Sequence, residues 1–256
     1  MQQKQDAWRW QWANMEDREE WLWNDWIFPN RIKHFTGQTV LDCGCGGGQH
    51  ISFVAPYAAH VMGVDLNAVS VAKTRTAPFS NVSLIDADLA IMNLEQLFDV
   101  VYCIGVIHHT DDPDATFKNL LHHCKAGGRM IVWCYSHEGN FLNRTLVEGA
   151  KKLFIHTLPR RSVWWLGQII TMLVYLPVYT VYLLPLRFLP YFEYFKNWRK
   201  LSFERNFINV FDKLNAPQTD FISHERVANW FNSDTFTDVH ISAYAGVSWR
   251  ASGTKR

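Results

Sequence analysis

Val40-Leu41-Asp42-Cys43-Gly44-Cys45-Gly46-Gly47-Gly48 is the stretch on which the fold of this 256-residue chain turns. Thr39–Asp42 reads as a short buried strand and Gln49–Ala58 as a helix, with the glycine run between them. Such a turn aims unpaired backbone N–H groups and the positive end of a helix dipole at a ligand. Glycine at 44, 46 and 48 lets the backbone bend sharply and come close to it.

The same grammar repeats outward from this turn. His60–Asp65 reads as a second strand, and Ala68–Ala77 as a helix stopped by Pro78. Val82–Asp86 is a third strand. Phe98–Gly105 is a fourth, apolar along almost its whole length, as a central parallel strand covered on both faces should be. Asp114–Cys124 reads as a helix, closed by Gly127-Gly128 before strand Arg129–Trp133. Strands and helices alternating at this spacing predict an α/β fold, a Rossmann-like doubly wound sheet.

Upstream, residues 6–27 read as one helix, with Trp8, Trp12 and Met15 on one face and the run Glu16–Glu20 toward solvent; WRWQW alternates with period two as well. Downstream, the alternation stops over residues 140–215, which are aromatic, proline-bearing and basic. It resumes with a helix at His224–Phe231 and strands at Thr237–Ala243 and Gly246–Ala251. The expected organisation is a Trp-rich helical lid (1–36), a Rossmann-like cofactor-binding core (37–139), a hydrophobic, aromatic-rich helical insertion (140–216) and a completion of the core sheet (217–256). The completed sheet is expected to be mostly parallel with one antiparallel terminal strand, since five strands alone would leave the last as a bare edge.

Composition bounds the function. Apolar residues at 48% suffice for a full core, and charged residues at only 19% argue against disorder. A net charge of +1 gives no basic footprint for a phosphate backbone, so nucleic acid is not the expected partner. The five cysteines (43, 45, 103, 124 and 134) form no CxxC pair and fit neither a disulfide framework nor a zinc site. No His/Asp/Glu cluster has metal-ligand spacing. The opening MQQKQDAWRW lacks the apolar core of a secretory signal, so a cytoplasmic setting is expected.

The glycine turn does not fit the dinucleotide fingerprint, because GxGxxG counted from Gly44 requires glycine where Gln49 stands. Asp42-x-Gly44-x-Gly46-x-Gly48 instead resembles motif I of the class I S-adenosylmethionine-dependent methyltransferases. The resemblance covers residues 37–135 most specifically. It implies S-adenosyl-L-methionine as cofactor, with Asp42 orienting its amino group and Gly44, Cys45, Gly46 and Gly48 against its methionine part. A merely tight turn around buried glycine is the plainer alternative.

Asp65 ends the second strand seventeen residues after Gly48, where a carboxylate can accept both ribose hydroxyls. It could instead cap the next helix, although Asn67 is an equally good cap. The resemblance places an acidic residue against the adenine amino group after the third strand. Asp88 is preferred to Asp86 there because it precedes Asp99 by eleven residues, a family-like spacing; both could be solvated loop charges. Leu66, Leu89 and Ile104 complete the implied cofactor set.

FDVVYCIGVIHHTDDP, from Phe98, is similar to the fourth motif of small-molecule methyltransferases of the quinone-biosynthesis type, and lacks the (D/N)PP(Y/F) tetrad of the nucleic-acid amino-methyltransferases. An oxygen or carbon acceptor on a small or lipid-linked molecule is implied. His108 and His109 are the candidate general bases, of which at most one can face the cofactor; the first could equally be a structural cover.

Residues 162–186 carry no charged side chain, are long enough to cross a bilayer, and are bracketed by Arg160-Arg161 and Arg187. A single crossing conflicts with a sheet whose strands lie on both sides of the insertion, and Pro177 interrupts a straight helix. Two readings remain: a short helical hairpin dipping into a membrane surface, or a lid packed on the Trp-rich helix or on another copy in a homo-oligomer. Two rival functions stand beside methyl transfer: a non-catalytic cofactor-binding protein docked through the insertion, and a nicotinamide-dependent oxidoreductase.

Overall fold

A computed structural model describes residues 2–16 and 19–256, with the side chains of 2–6 excluded. The central sheet is built from β1 (Thr39–Cys43), β2 (His60–Asp65), β3 (Val82–Asp86), β4 (Phe98–Ile104), β5 (Cys124–Tyr135), β6 (Phe236–Tyr244) and β7 (Ser248–Lys255). Their order is β3-β2-β1-β4-β5-β7-β6. The first five run parallel, and β7 is antiparallel to both neighbours. The expected Rossmann-like class therefore holds. The antiparallel strand, last in the chain, slots between β5 and β6 and so leaves no bare edge on β5.

Alternation along the strands explains why the sheet is covered on both faces. Val101 and Cys103 of β4 enter one apolar core with Leu41, Cys43, Val132 and Phe117. Val100, Tyr102 and Ile104 enter the other, with Val40, Ile51, Trp23 and Trp133. All five cysteines are free and buried. Burial pushes their thiols up, away from the reactive thiolate.

The helices lie where the caps put them. In chain order they are α1 (Gln2–Asn14), α2 (Glu20–Trp26), α3 (Gln49–Val54), α4 (Val69–Thr76), α5 (Pro113–His122), α6 (Glu148–Leu153), α7 (Arg160–Val178), α8 (Phe192–Trp198), α9 (Phe203–Asn215) and α10 (His224–Trp230). Asp112 starts α5 by accepting from the N–H groups of Asp114 and Ala115, with Pro113 at the first helical position. Ser202 and Ser223 start α9 and α10 in the same way.

Four local expectations need correction. The single helix over 6–27 is two helices, α1 and α2. Glu16 turns back to pair with Arg75 of α4 at 3.5 Å rather than facing only solvent; Asp17 and Arg18 of that acidic run lie outside the described residues. Gly127-Gly128 does not close α5, because β5 already begins at Cys124 and Gly127 (φ 76°) lies within its irregular start. Residues 162–186 are not a hairpin: α7 runs to Val178 with Pro177 in its last turn, a short 3₁₀ turn follows at Val181–Leu183, and α7 packs on α9. Among the described residues no helix is long and apolar enough to cross a membrane.

A third apolar cluster joins α7 and α9 to the N-terminal segment through Val163, Phe207, Phe211, Leu214 and Met15. Hydrogen bonds tie α1 to α9 as well. Asn215 donates to the carbonyl of Ala7 and to Oε1 of Gln11, and Gln11 donates to Oδ1 of Asp212 at 3.1 Å.

Candidate active site

The carboxyl ends of β1, β2, β3, β4 and β5 open into one cleft, at the place where strand order reverses between β1 and β4. Its free volume is about 270 Å³. Trp8 and Trp12 of α1 and Ile208, Asn209 and Asp212 of α9 close the side facing the strand ends.

The glycine turn forms the floor. Gly44 has φ 85°, and a methyl group there would collide with the side chain of Val106. Gly46 has φ 52°, and a Cβ on it would stand 2.9 Å from Nε1 of Trp12. Both positions thus require glycine for conformation and for space. The guanidinium of Arg75 donates to the carbonyl of Gly47 and braces the turn from α4.

Asp65 holds the turn from the end of β2. Its Oδ2 accepts from the Gly46 N–H at 3.0 Å, while Oδ1 accepts from the N–H groups of Asn67 and Ala68, each at 2.8 Å. Asp65 thus braces the turn leading into α4, whose N-cap, Ala68, has no side-chain cap, and Asn67 does not cap it either; its Oδ1 is buried without a partner. Asp65 still lines the cleft, with limited acceptor capacity left for a ligand. Burial raises its pKa, and the three backbone donors oppose that.

Asp88 lines the cleft at the end of β3 and accepts from the Ala90 N–H at 2.9 Å, whereas Asp86 is exposed and is not among the lining residues. Cys45, Leu66, Leu89 and Ile104 line it too. Three of the residues singled out from the sequence do not: Asp42, Gly48 and His108. Gly48 is the left-handed residue (φ 81°) that starts α3. Asp42 is buried beneath the turn; its Oδ2 and the nearby Tyr102 hydroxyl both lack a partner in ordinary hydrogen-bond geometry. Burial, with the charge of Asp65 adding to it, pushes the Asp42 pKa up to about 8 against the weaker pull of the Tyr102 hydroxyl.

The two histidines separate cleanly. They occupy a 3₁₀ turn, Ile107–His109, in which neighbouring side chains point about 120° apart. His108 is fully buried against the rings of Tyr135 and Trp133, and neither ring nitrogen has a hydrogen-bond partner. His109 faces the cleft. Its Nδ1 is 2.8 Å from the Gln218 carbonyl, which can only accept, so the proton resides on Nδ1 and the Nε2 lone pair is free. Oδ2 of Asp212 stands 3.9 Å from that Nε2 and accepts from the Tyr135 hydroxyl at 3.0 Å. Burial lowers the pKa of both imidazoles; for His109 the Asp212 carboxylate pulls the other way.

A smaller cavity of about 60 Å³ shares Trp26, Trp133, Tyr135 and Asn209 with the cleft. It is lined further by Tyr191, Tyr194, Trp198 and Tyr244, with Lys213 as its cation. Among the described residues no group of three or more His, Cys, Asp or Glu side chains is placed to hold a metal ion.

Sequence reading missed the α9 wall altogether. Asp212, Asn209 and Ile208 sit in a stretch with no strand–helix pattern, and nothing local marks them for the cleft. Amphipathic spacing in FERNFINVFDKLN was the available signal, but it announces a helix and not a function.

Residues 41–132 match the family described as "Methyltransferase domain". The chain is 29% identical over 171 residues to a tRNA U34 carboxymethyltransferase of Alteromonas mediterranea, covering 63% of this chain and 49% of that one. It is 32% identical over 144 residues to a ubiquinone biosynthesis O-methyltransferase of Coxiella burnetii, covering 52% of this chain and 61% of that protein. It thus spans less than two thirds of the length of either. In fold it is like the N-methyltransferase NodS of Bradyrhizobium japonicum, solved with S-adenosyl-L-homocysteine. The TM-score is 0.53 at 12% identity, over 99% of this chain and 98% of the other.

Proposed function

We propose that this chain, whose residues 41–132 match a methyltransferase domain, uses S-adenosylmethionine to methylate an oxygen or carbon of a small or lipid-linked acceptor. The observation that carries this reading is the convergence of Gly46, Asp65, Asp88 and His109 on one cleft. When bound, S-adenosylmethionine supplies an electrophilic methyl group on a sulfonium. Gly44, Cys45 and Gly46 offer the methionine part a floor without side-chain bulk at the glycines. Asp65 and Asp88 offer carboxylate acceptors at the ends of β2 and β3, with Leu66, Leu89 and Ile104 against the remainder. Trp8 and Trp12 exclude water from above.

His109 is the base in this reading. Its Nε2 lone pair takes the proton of the acceptor as the acceptor atom bonds to the methyl carbon. The Nδ1 proton stays on the Gln218 carbonyl, and the Asp212 carboxylate stabilises the imidazolium that results. General-base help of this kind is worth roughly 10²–10⁴-fold in rate. The rest of the work is alignment of acceptor and methyl. Asp42 and His108 serve the fold beneath the cleft rather than the chemistry.

The aromatic cavity beside Trp133 and Tyr135 supports an acceptor with a flat or apolar body. The relative that modifies tRNA makes RNA the rival acceptor, and the balanced net charge speaks against it. The test has two parts. Calorimetric titration of S-adenosylmethionine and S-adenosylhomocysteine should give micromolar binding, and no binding to the folded protein would end the reading. Label from methyl-tritiated cofactor should then enter a phenol, quinol or lipid extract and not bulk tRNA. Incorporation into tRNA alone would overturn the acceptor class, and binding without any turnover would leave a non-catalytic cofactor-binding protein.

A further inference from the structure

We propose that the chain docks on an anionic lipid surface through the outer face of α7 and the segment after it. The inner face of α7 is already occupied. Val163, Gly167 and Thr171, four residues apart, are buried toward α9, and a Cβ on Gly167 would meet the Phe207 ring at 2.9 Å. The opposite face carries Trp165, Ile169, Met172, Leu173 and Leu176, which are exposed by 62, 50, 55, 66 and 70%. At about 100° per residue these five fall on one stripe. A helix apolar on both faces belongs in an interior, yet half of this one has no protein over it. The chain then continues through exposed Tyr179, Val181, Leu183 and Leu184 to Phe188, which is 82% exposed. A contiguous apolar surface of this kind marks an interaction site.

Charge identifies the occupant. Residues 151–200 contain eight Lys and Arg against the single acid Glu193, although the whole chain is balanced at 25 to 24. Lys151 is buried on Glu148, whereas Lys152, Arg161, Arg187, Lys196 and Lys200 are exposed in the same stretch of chain. A second copy placed there about a two-fold axis would bring this basic stretch against itself. Anionic headgroups complement it instead. No described helix can span a bilayer, and the polypeptide on both sides of α7 returns to one sheet through β5 and β6. The contact is therefore interfacial, with the rings of Trp165 and Tyr179 at headgroup depth.

This inference does not depend on the methyl-transfer reading, and its test needs no catalysis. The full chain is sedimented with vesicles of phosphatidylcholine alone and of phosphatidylcholine with phosphatidylglycerol, at low and high salt. Sedimentation is expected with the anionic vesicles and is expected to weaken with salt. Leu173→Glu with Leu176→Glu, and separately Arg161→Glu with Arg187→Glu, should each weaken binding about tenfold or more, while thermal melting stays unchanged at these exposed sites. Failure to sediment with anionic vesicles would overturn the proposal. So would equal binding by both variants, or a concentration-dependent dimer in gel filtration that the leucine variant dissolves while vesicles have no effect.

Discussion

Oδ2 of Asp65 accepts the backbone N–H of Gly46 at 3.0 Å, so the carboxylate ending β2 fixes the shape of the loop that ends β1. The same side chain accepts from Asn67 and Ala68 in the turn that leads into α4. Asp65→Asn puts an N–H₂ group among three backbone donors and should cost about 1–3 kcal/mol of stability as well as cofactor affinity. Denaturant unfolding beside calorimetry checks this. An Asn variant as stable as the parent would show that the carboxylate is free for a ligand and does not hold the loop.

Substitution at the two histidines should separate chemistry from packing. His109→Asn is expected to lower kcat/KM by roughly 10²–10⁴-fold with little change in melting temperature. His108→Asn should leave the rate within a few fold and lower the melting temperature, since it disturbs a fully buried ring between Tyr135 and Trp133. The reverse pattern would move the base to His108.

The acid limb follows from the same two rings. Both pKa values are lowered by burial, so the folded protein holds fewer protons than the unfolded chain below the ordinary histidine value of 6.5. The contribution of these two rings to stability is therefore full above pH 6.5 and declines as pH falls below it. The rate falls as pH drops through the lowered His109 value. A pH–rate profile whose acid limb lies below 6.5 and vanishes in His109→Asn is expected; a limb unchanged by that substitution would exclude His109 as the titrating group.

At Asp42 the sign is opposite. A folded pKa raised from 3.8 to about 8 means that the folded state keeps a proton the unfolded chain releases, so its contribution is full below 3.8 and lost as pH rises through 8. Asp42→Asn, neutral at every pH, should melt higher than the parent at pH 8, with the difference shrinking toward pH 5. Thermal melts at the two pH values decide it. A lower melting temperature at pH 8 would mean that the carboxylate is ionised and held by a partner.

Gly46→Ala combines a left-handed backbone with a Cβ 2.9 Å from Nε1 of Trp12. We expect at least about a tenfold loss of cofactor affinity together with a change in tryptophan fluorescence as Trp12 gives way, each measured on the folded variant. Unchanged affinity would remove the loop from the cofactor floor.

The strands were legible because burial on both faces forces continuous apolar runs, as in Phe98–Ile104, and His60–Asp65 and Val82–Asp86 keep their expected bounds. The floor of the cleft was legible because glycine chemistry is local. The rest depends on tertiary distance. His108 and His109 are identical in the sequence, and only the turn of the backbone sends one inward and the other to the cleft. Asp65 and Asn67 both read as caps, yet neither caps α4; Asp65 is turned to the Gly46 N–H instead, which only the fold brings near. Asp212 reaches His109 across more than a hundred residues of chain, through packing that no window of sequence contains.

Helix α9 presents Phe207 and Phe211 to α7 and, from the positions between and beside them, Ile208, Asn209 and Asp212 to the cleft. One helix thus serves two neighbours, and a methyl group added at Gly167 would meet Phe207 on the same helix that carries Asp212. The packing of α7 and the position of the carboxylate beside His109 therefore share one helix.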